Sequence, residues 1–142
     1  MLHLKDPPAT KVHQDDFSPG KGNALQACVA SLFDQPLDEV PNFIELDCGY
    51  EQGIQDYLQQ NKSSYTAVKK KPSNDNTDND TGKLCILRGK SPRGDFGHVI
   101  VARVVEGGDK ETTFTPVHDP HPEGTFLDNS EPFGWYMTFE KA

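Results

Sequence analysis

Gly22-Asn23-Ala24-Leu25-Gln26-Ala27-Cys28-Val29-Ala30-Ser31-Leu32 is the stretch on which the reading of this chain turns. Its apolar residues Leu25, Cys28, Val29 and Leu32 follow i, i+3, i+4 and i+7, the spacing that lines one face of a helix. Gly22 marks a turn and Asn23 stands where an N-cap belongs, so the spacing predicts a helix over about 24–34. Residue 24 then lies in the first turn, where the helix dipole and unpaired backbone N–H groups would stabilise a thiolate. An alanine stands there instead.

Residues 1–22 carry prolines and glycines without periodicity and read as an extended arm leading into this helix. Asp34-Gln35-Pro36 ends it, because proline disfavours helical geometry in the residue before it. Leu37–Val40 fits one further turn, and 50–61 a second helix with Tyr50, Ile54, Tyr57 and Leu58 on one face, although Gly53 weakens it. From Tyr65 the pattern shifts to short strands at 65–68, 83–88, 98–105, 112–117 and 135–140. Helices first and strands afterwards predict an α+β domain, with the first helix packed on a small antiparallel sheet. Residues 69–82 include a run from Ser73 to Thr81 with nothing apolar to bury and read as a flexible loop. Glu106–Lys110 supplies a hairpin turn, which sets His98 and Asp119 at corresponding ends of neighbouring strands.

A histidine at the start of one strand and an aspartate at the end of the next suggest a proton-shuttling pair. His98 would take and return a proton, and Asp119 would accept the other ring N–H and stabilise the imidazolium. Each residue alone also fits a plain structural role, His98 at a strand start and Asp119 in a turn before Pro120. Their joint placement downstream of the 22–34 segment favours the catalytic reading.

The 22–31 segment resembles the nucleophile helix of papain-like cysteine hydrolases of the C39-peptidase-like type, particularly small phage and bacterial proteins reading Gly-Asn-Cys-Leu-Gln-Ala-Cys-Val-Ala-Ser. The resemblance continues through Leu37–Phe43, Ser91-Pro92-Arg93-Gly94, Gly97–Val101 and Val117–Pro122. It implies a papain-like fold in which position 24 matches the catalytic cysteine, His98 the general base and Asp119 the orienting acid. Gln14 resembles the glutamine whose amide stabilises the oxyanion, with the backbone N–H of residue 24 as second donor. The departure is Ala24, which implies an inactive form: an engineered Cys→Ala change or a natural pseudoenzyme that binds a peptide or protein tail in the same cleft. The intact Gln14, His98 and Asp119 favour engineering. Cys28 is a poor replacement, being on the apolar face where burial raises a thiol pKa.

Other residues carry weaker signals. Asn23, His121 and Trp135 are candidates for lining a substrate cleft, although aromatic residues on a last strand, Trp135 and Tyr136 with Phe133 just ahead of them, also suit a core. His118, Asp119 and His121 with Asp95 and His98 offer imidazole and carboxylate ligands, but their spacing matches no familiar zinc motif and leaves the 22–31 segment unexplained. The expected chemistry therefore needs no metal or organic cofactor, and the expected substrate is a peptide, a protein tail or a small amide or thioester.

At 142 residues the chain suits one domain over 1–142. A net charge of −8 and a sequence pI near 5.0 deny it the phosphate-neutralising surface that nucleic acid requires. Mean hydropathy is low at −0.70, but eight Phe, four Tyr and one Trp supply enough large apolar surface for a core. Three cysteines, none in a Cys-x-x-Cys pair, argue against a disulfide framework. With no signal segment and no run approaching 18 apolar residues, no membrane partner is expected, and the default location is cytoplasmic, a host cytoplasm included.

Overall fold

A computed structural model describes residues 2–8, 11–18, 22–72, 80–94, 96–106, 112–128, 130 and 132–141. It is a small α+β protein: helices α1 (Ala24–Leu32) and α2 (Tyr50–Gln60) precede strands β1 (Tyr65–Lys70), β2 (Leu84–Lys90), β3 (Gly97–Glu106), β4 (Thr112–His118) and β5 (Trp135–Lys141). The strands form one sheet in the order β1-β5-β2-β3-β4. Every neighbouring pair is antiparallel. The last strand thus lies between the first two, joining residues far apart in sequence, such as Tyr65 opposite Lys141.

Strand alternation divides the core in two. Leu84, Ile86, Val99, Val101, Met137 and Phe139 face the helices. Cys85, Leu87, Ile100, Ala102 and Tyr136 face the other way, where Phe126, Leu127 and Phe133 cover them. The unbroken apolar run Leu84–Leu87 follows from this, since β2 is buried on both faces.

Helix α1 stops at Leu32, two residues short of the expected end. Asp34 adopts a left-handed φ of 54°, which breaks the helix before Pro36 exerts its restriction. It is also buried on nearly every side, with only Gln26 half-exposed. The arm contributes by packing along α1 while also bonding the sheet, where Asp6 pairs with Arg103 of β3 and Val12 O meets His118 of β4. Lys5 N–H donates to Leu32 O at 2.8 Å, and Val12 N–H to the Ser31 hydroxyl at 2.9 Å. The Gln26 amide in turn ties the first 3-10 turn (Leu37–Glu39) to α1 by donating to Leu37 O and Val40 O.

A second 3-10 turn, Phe43–Glu45, was not foreseen. It packs on α2 at Gly53, where an added Cβ would fall 2.7 Å from Leu46 Cδ1, so the glycine that looked like a weakness in the helix lets the two elements touch. The 69–82 loop also needs correction at both ends. Lys69 and Lys70 belong to β1, and Asp80 is fully buried, accepting from Lys70 Nζ (2.8 Å), Lys83 Nζ (3.3 Å) and Tyr136 OH (2.6 Å). Residues 73–79 of that loop, and 107–110 of the expected hairpin turn, lie outside the described residues.

Candidate functional site

A cleft of about 430 Å³ opens where the first turn of α1 meets the end of the sheet, within the size range of small-ligand sites. Gln14, Ala24, His98 and Trp135, four residues singled out from the sequence, line it. Ala24 is the first residue of α1, so its N–H has no partner within the helix.

His98 Nε2 and Asp119 Oδ1 lie 2.7 Å apart, both residues buried. His98 meets the cleft at the sheet's end, one residue into β3, and Asp119 follows directly on β4. Asp119 is held by two more donors, the N–H of His121 to Oδ1 (2.9 Å) and that of Phe126 to Oδ2 (2.7 Å). Burial pushes its carboxyl up, but these three hydrogen bonds together outweigh burial and hold it below the usual carboxylate range. A carboxylate that stays ionised and fixed on Nε2 sets the imidazole orientation and leaves Nδ1 as the nitrogen available for proton transfer. The Asp119 charge also reaches α1: after burial, it is the next cause raising the Cys28 thiol, one helical turn from Ala24. Cys28 is completely buried and its thiol is held far above the ordinary value, as the sequence suggested.

Gln14 is buried rather than solvated, its backbone N–H donating to Pro120 O at 2.9 Å and its side-chain amide to Asp16 O at 3.1 Å. That amide nitrogen retains a second proton at the cleft wall, while Oε1 is buried without a partner.

Three expectations change. Asn23 makes no side-chain cap and does not line the cleft. Its carbonyl accepts from the backbone N–H groups of Asp15 (3.0 Å) and Asp16 (2.9 Å), and its NH₂ donates to the Asp15 carboxylate (2.7 Å). It positions the Gln14 segment instead of touching substrate, because the arm reaches its amide before the helix N–H groups can. Asn23→Ala should therefore cost about 1–3 kcal/mol by leaving two N–H groups without an acceptor. Urea unfolding checks this, and a loss below about 0.5 kcal/mol would mean the arm is held elsewhere.

His121 sits just outside the cleft, its ring against Phe17 at 4.9 Å and its Nδ1 accepting from Glu123 N–H. Phe17 lines the cleft, so His121 buttresses a wall residue. Of the C-terminal aromatics only Trp135 reaches the cleft. It stacks on Tyr50 at 5.6 Å, with Lys69 Nζ over both rings, while Tyr136 points into the opposite core layer. For the metal alternative, no group of three or more His, Cys, Asp or Glu side chains that could hold an ion occurs among the described residues, and His118 Nε2 lies 2.6 Å from Val12 O. Asp95 lies outside the described residues.

Arg88 and Arg93 also line the cleft and were missed as site residues. Arg88 was legible: Leu84, Ile86 and Arg88 share one face of β2, so a cation takes the place where alternation calls for an apolar residue. No family model, curated protein or solved structure matches the chain. Among the described residues no helix is long and apolar enough to cross a membrane.

Proposed function

We propose that this chain is the nucleophile-less form of a papain-like cysteine hydrolase, with Ala24 standing where the working protein has cysteine. The observation that carries the reading is the buried His98–Asp119 pair, 2.7 Å apart, whose histidine lines the same cleft as the first residue of α1. In the active form the thiolate attacks an amide, isopeptide or thioester carbonyl carbon. The negative charge gathers on the carbonyl oxygen, where the Gln14 amide and the N–H of residue 24 would hold it. On collapse the bond to the leaving group breaks, that group takes the proton from His98, and a thioester remains. Water, deprotonated by His98, then releases the acid and restores the thiol. The substrate is a peptide, a protein tail or a small amide or thioester, and this scheme draws on no cofactor. A cytoplasmic setting suits the unpaired thiols.

The rival reading is a binding module that holds a peptide or protein tail, and Ala24 itself favours it, since the chain keeps a cleft but has no nucleophile there. Ala24→Cys separates the two. Labelling by a thiol-reactive acyl probe that disappears on His98→Ala supports the hydrolase, and absence of labelling at position 24 supports the module.

A further inference from the structure

Acidic residues outnumber lysine and arginine by 22 to 14 in this chain. Among the described residues lining the cleft the balance reverses: Arg88 and Arg93 are there, and no carboxylate is. Neither arginine has an ion-pair partner among the described residues. A cation placed in a cleft without a counter-charge is an anion site awaiting its ligand.

Both guanidinium groups are held in place. Arg88 lies across two glycines: a Cβ added at Gly97 would run into its guanidinium, and one added at Gly134 would meet its Cγ at 3.5 Å. The head group therefore rests on the backbone one residue before His98. Arg93 donates from Nε to Thr125 Oγ1 at 3.1 Å and lies 6.0 Å from the Phe96 ring centre. Its Nη2 is buried with no hydrogen-bond partner among the described residues. An orphaned guanidinium nitrogen is costly, and a carboxylate oxygen would satisfy it.

We propose that the cleft selects substrates bearing a carboxylate close to the attacked carbonyl, held by Arg88 and Arg93. The proposal rests on the hydrolase reading for where the carbonyl sits. Its ligand chemistry is a carboxylate, from an acidic side chain or from a chain terminus. The protein's overall negative charge repels such a substrate at long range, so any preference for it arises locally at the two arginines.

The test uses Ala24→Cys and three thiol-alkylating probes of matched size: bromoacetyl-glutamine amide, bromoacetyl-glutamate amide, and bromoacetyl-glutamine with a free terminal carboxylate. At least one acidic probe should label position 24 about tenfold faster than the neutral one at low salt. The ratio of acidic to neutral rates should shrink in high salt and fall towards one in Arg88→Gln and in Arg93→Gln. Faster acidic labelling by the glutamate probe identifies a side-chain carboxylate, and by the free-acid probe a chain terminus. Equal or slower labelling by both acids, with labelling still dependent on His98, overturns the carboxylate site and leaves the hydrolase reading standing. Labelling at position 24 by all three probes that ignores His98→Ala overturns the hydrolase reading, and the carboxylate proposal falls with it.

Discussion

On the hydrolase reading, cysteine at position 24 is expected to acylate on the order of 10³-fold faster than a free thiol at the same pH, because a nucleophile, its base and the orienting acid act as a unit. Measured in a Cys48→Ser background, which removes the one exposed thiol, the rate reports position 24 alone. The remaining thiols are silent, since burial holds Cys28 far above the ordinary value and Cys85 well up as well. On the hydrolase reading two causes favour the thiolate at position 24, the helix N-terminus and proton transfer to the His98 imidazole that lines the same cleft. Labelling should therefore remain fast near pH 6, where an ordinary thiol is less than about 1% ionised. His98→Ala should abolish the gain. Asp119→Asn should cost about 10²-fold of it while leaving the fold in place, because a neutral amide can still accept the ring N–H but carries no charge to stabilise the imidazolium. A rate at position 24 that matches a free thiol, with the pH profile of one, rules out the shuttle.

Asp80→Ala should lower stability by about 2–4 kcal/mol. Asp80 is fully buried and collects Lys70, Lys83 and Tyr136, residues from β1, from just before β2, and from β5. Without it the Tyr136 hydroxyl, inside the core, loses its acceptor, and the two ammonium groups face each other with only Glu140 between them. Burial raises the Asp80 carboxyl, but hydrogen bonds from Lys70, Tyr136 and Lys83 outweigh it and hold the net value below the ordinary 3.8. A depressed folded-state pKa means stability that is complete above the unfolded value and lost as pH falls through the folded one. Asp80 therefore contributes fully above about pH 4 and fades below it. Urea unfolding of the parent and of Asp80→Ala at pH 7 and pH 3 checks both statements. The difference between the two proteins should narrow at the lower pH, and an unchanged difference would assign the stabilisation to shape instead of charge.

The strands and helices were legible almost throughout. β3 and β5 lie within a residue or two of where alternation puts them, since their apolar residues alternate between two buried faces. Tyr57 and Leu58 on α2 were equally readable. Of the candidate residues, Ala24, His98 and Gln14, which line one cleft, and Asp119, which pairs with His98, were marked by their order and surroundings. Asn23 and His121 were misjudged because a side chain's partner is set by whichever distant segment arrives first, and that segment is the arm for Asn23 and the Phe17 wall for His121. Asp80 was hidden inside a polar run, where nothing in the local sequence marks one carboxylate for burial.

By itself the sequence determined the elements, the α+β order, and a helix that starts at Ala24, because these depend on spacings of three, four and two residues along one segment. The tertiary structure alone decided that β5 inserts between β1 and β2, that the arm packs along α1, and that two arginines without an ion-pair partner among the described residues share the cleft, and it closed to 2.7 Å the His98–Asp119 pair that the sequence suggested. Those outcomes join residues twenty to a hundred positions apart, and contacts at such separation are chosen by global packing and charge burial, which no local pattern encodes.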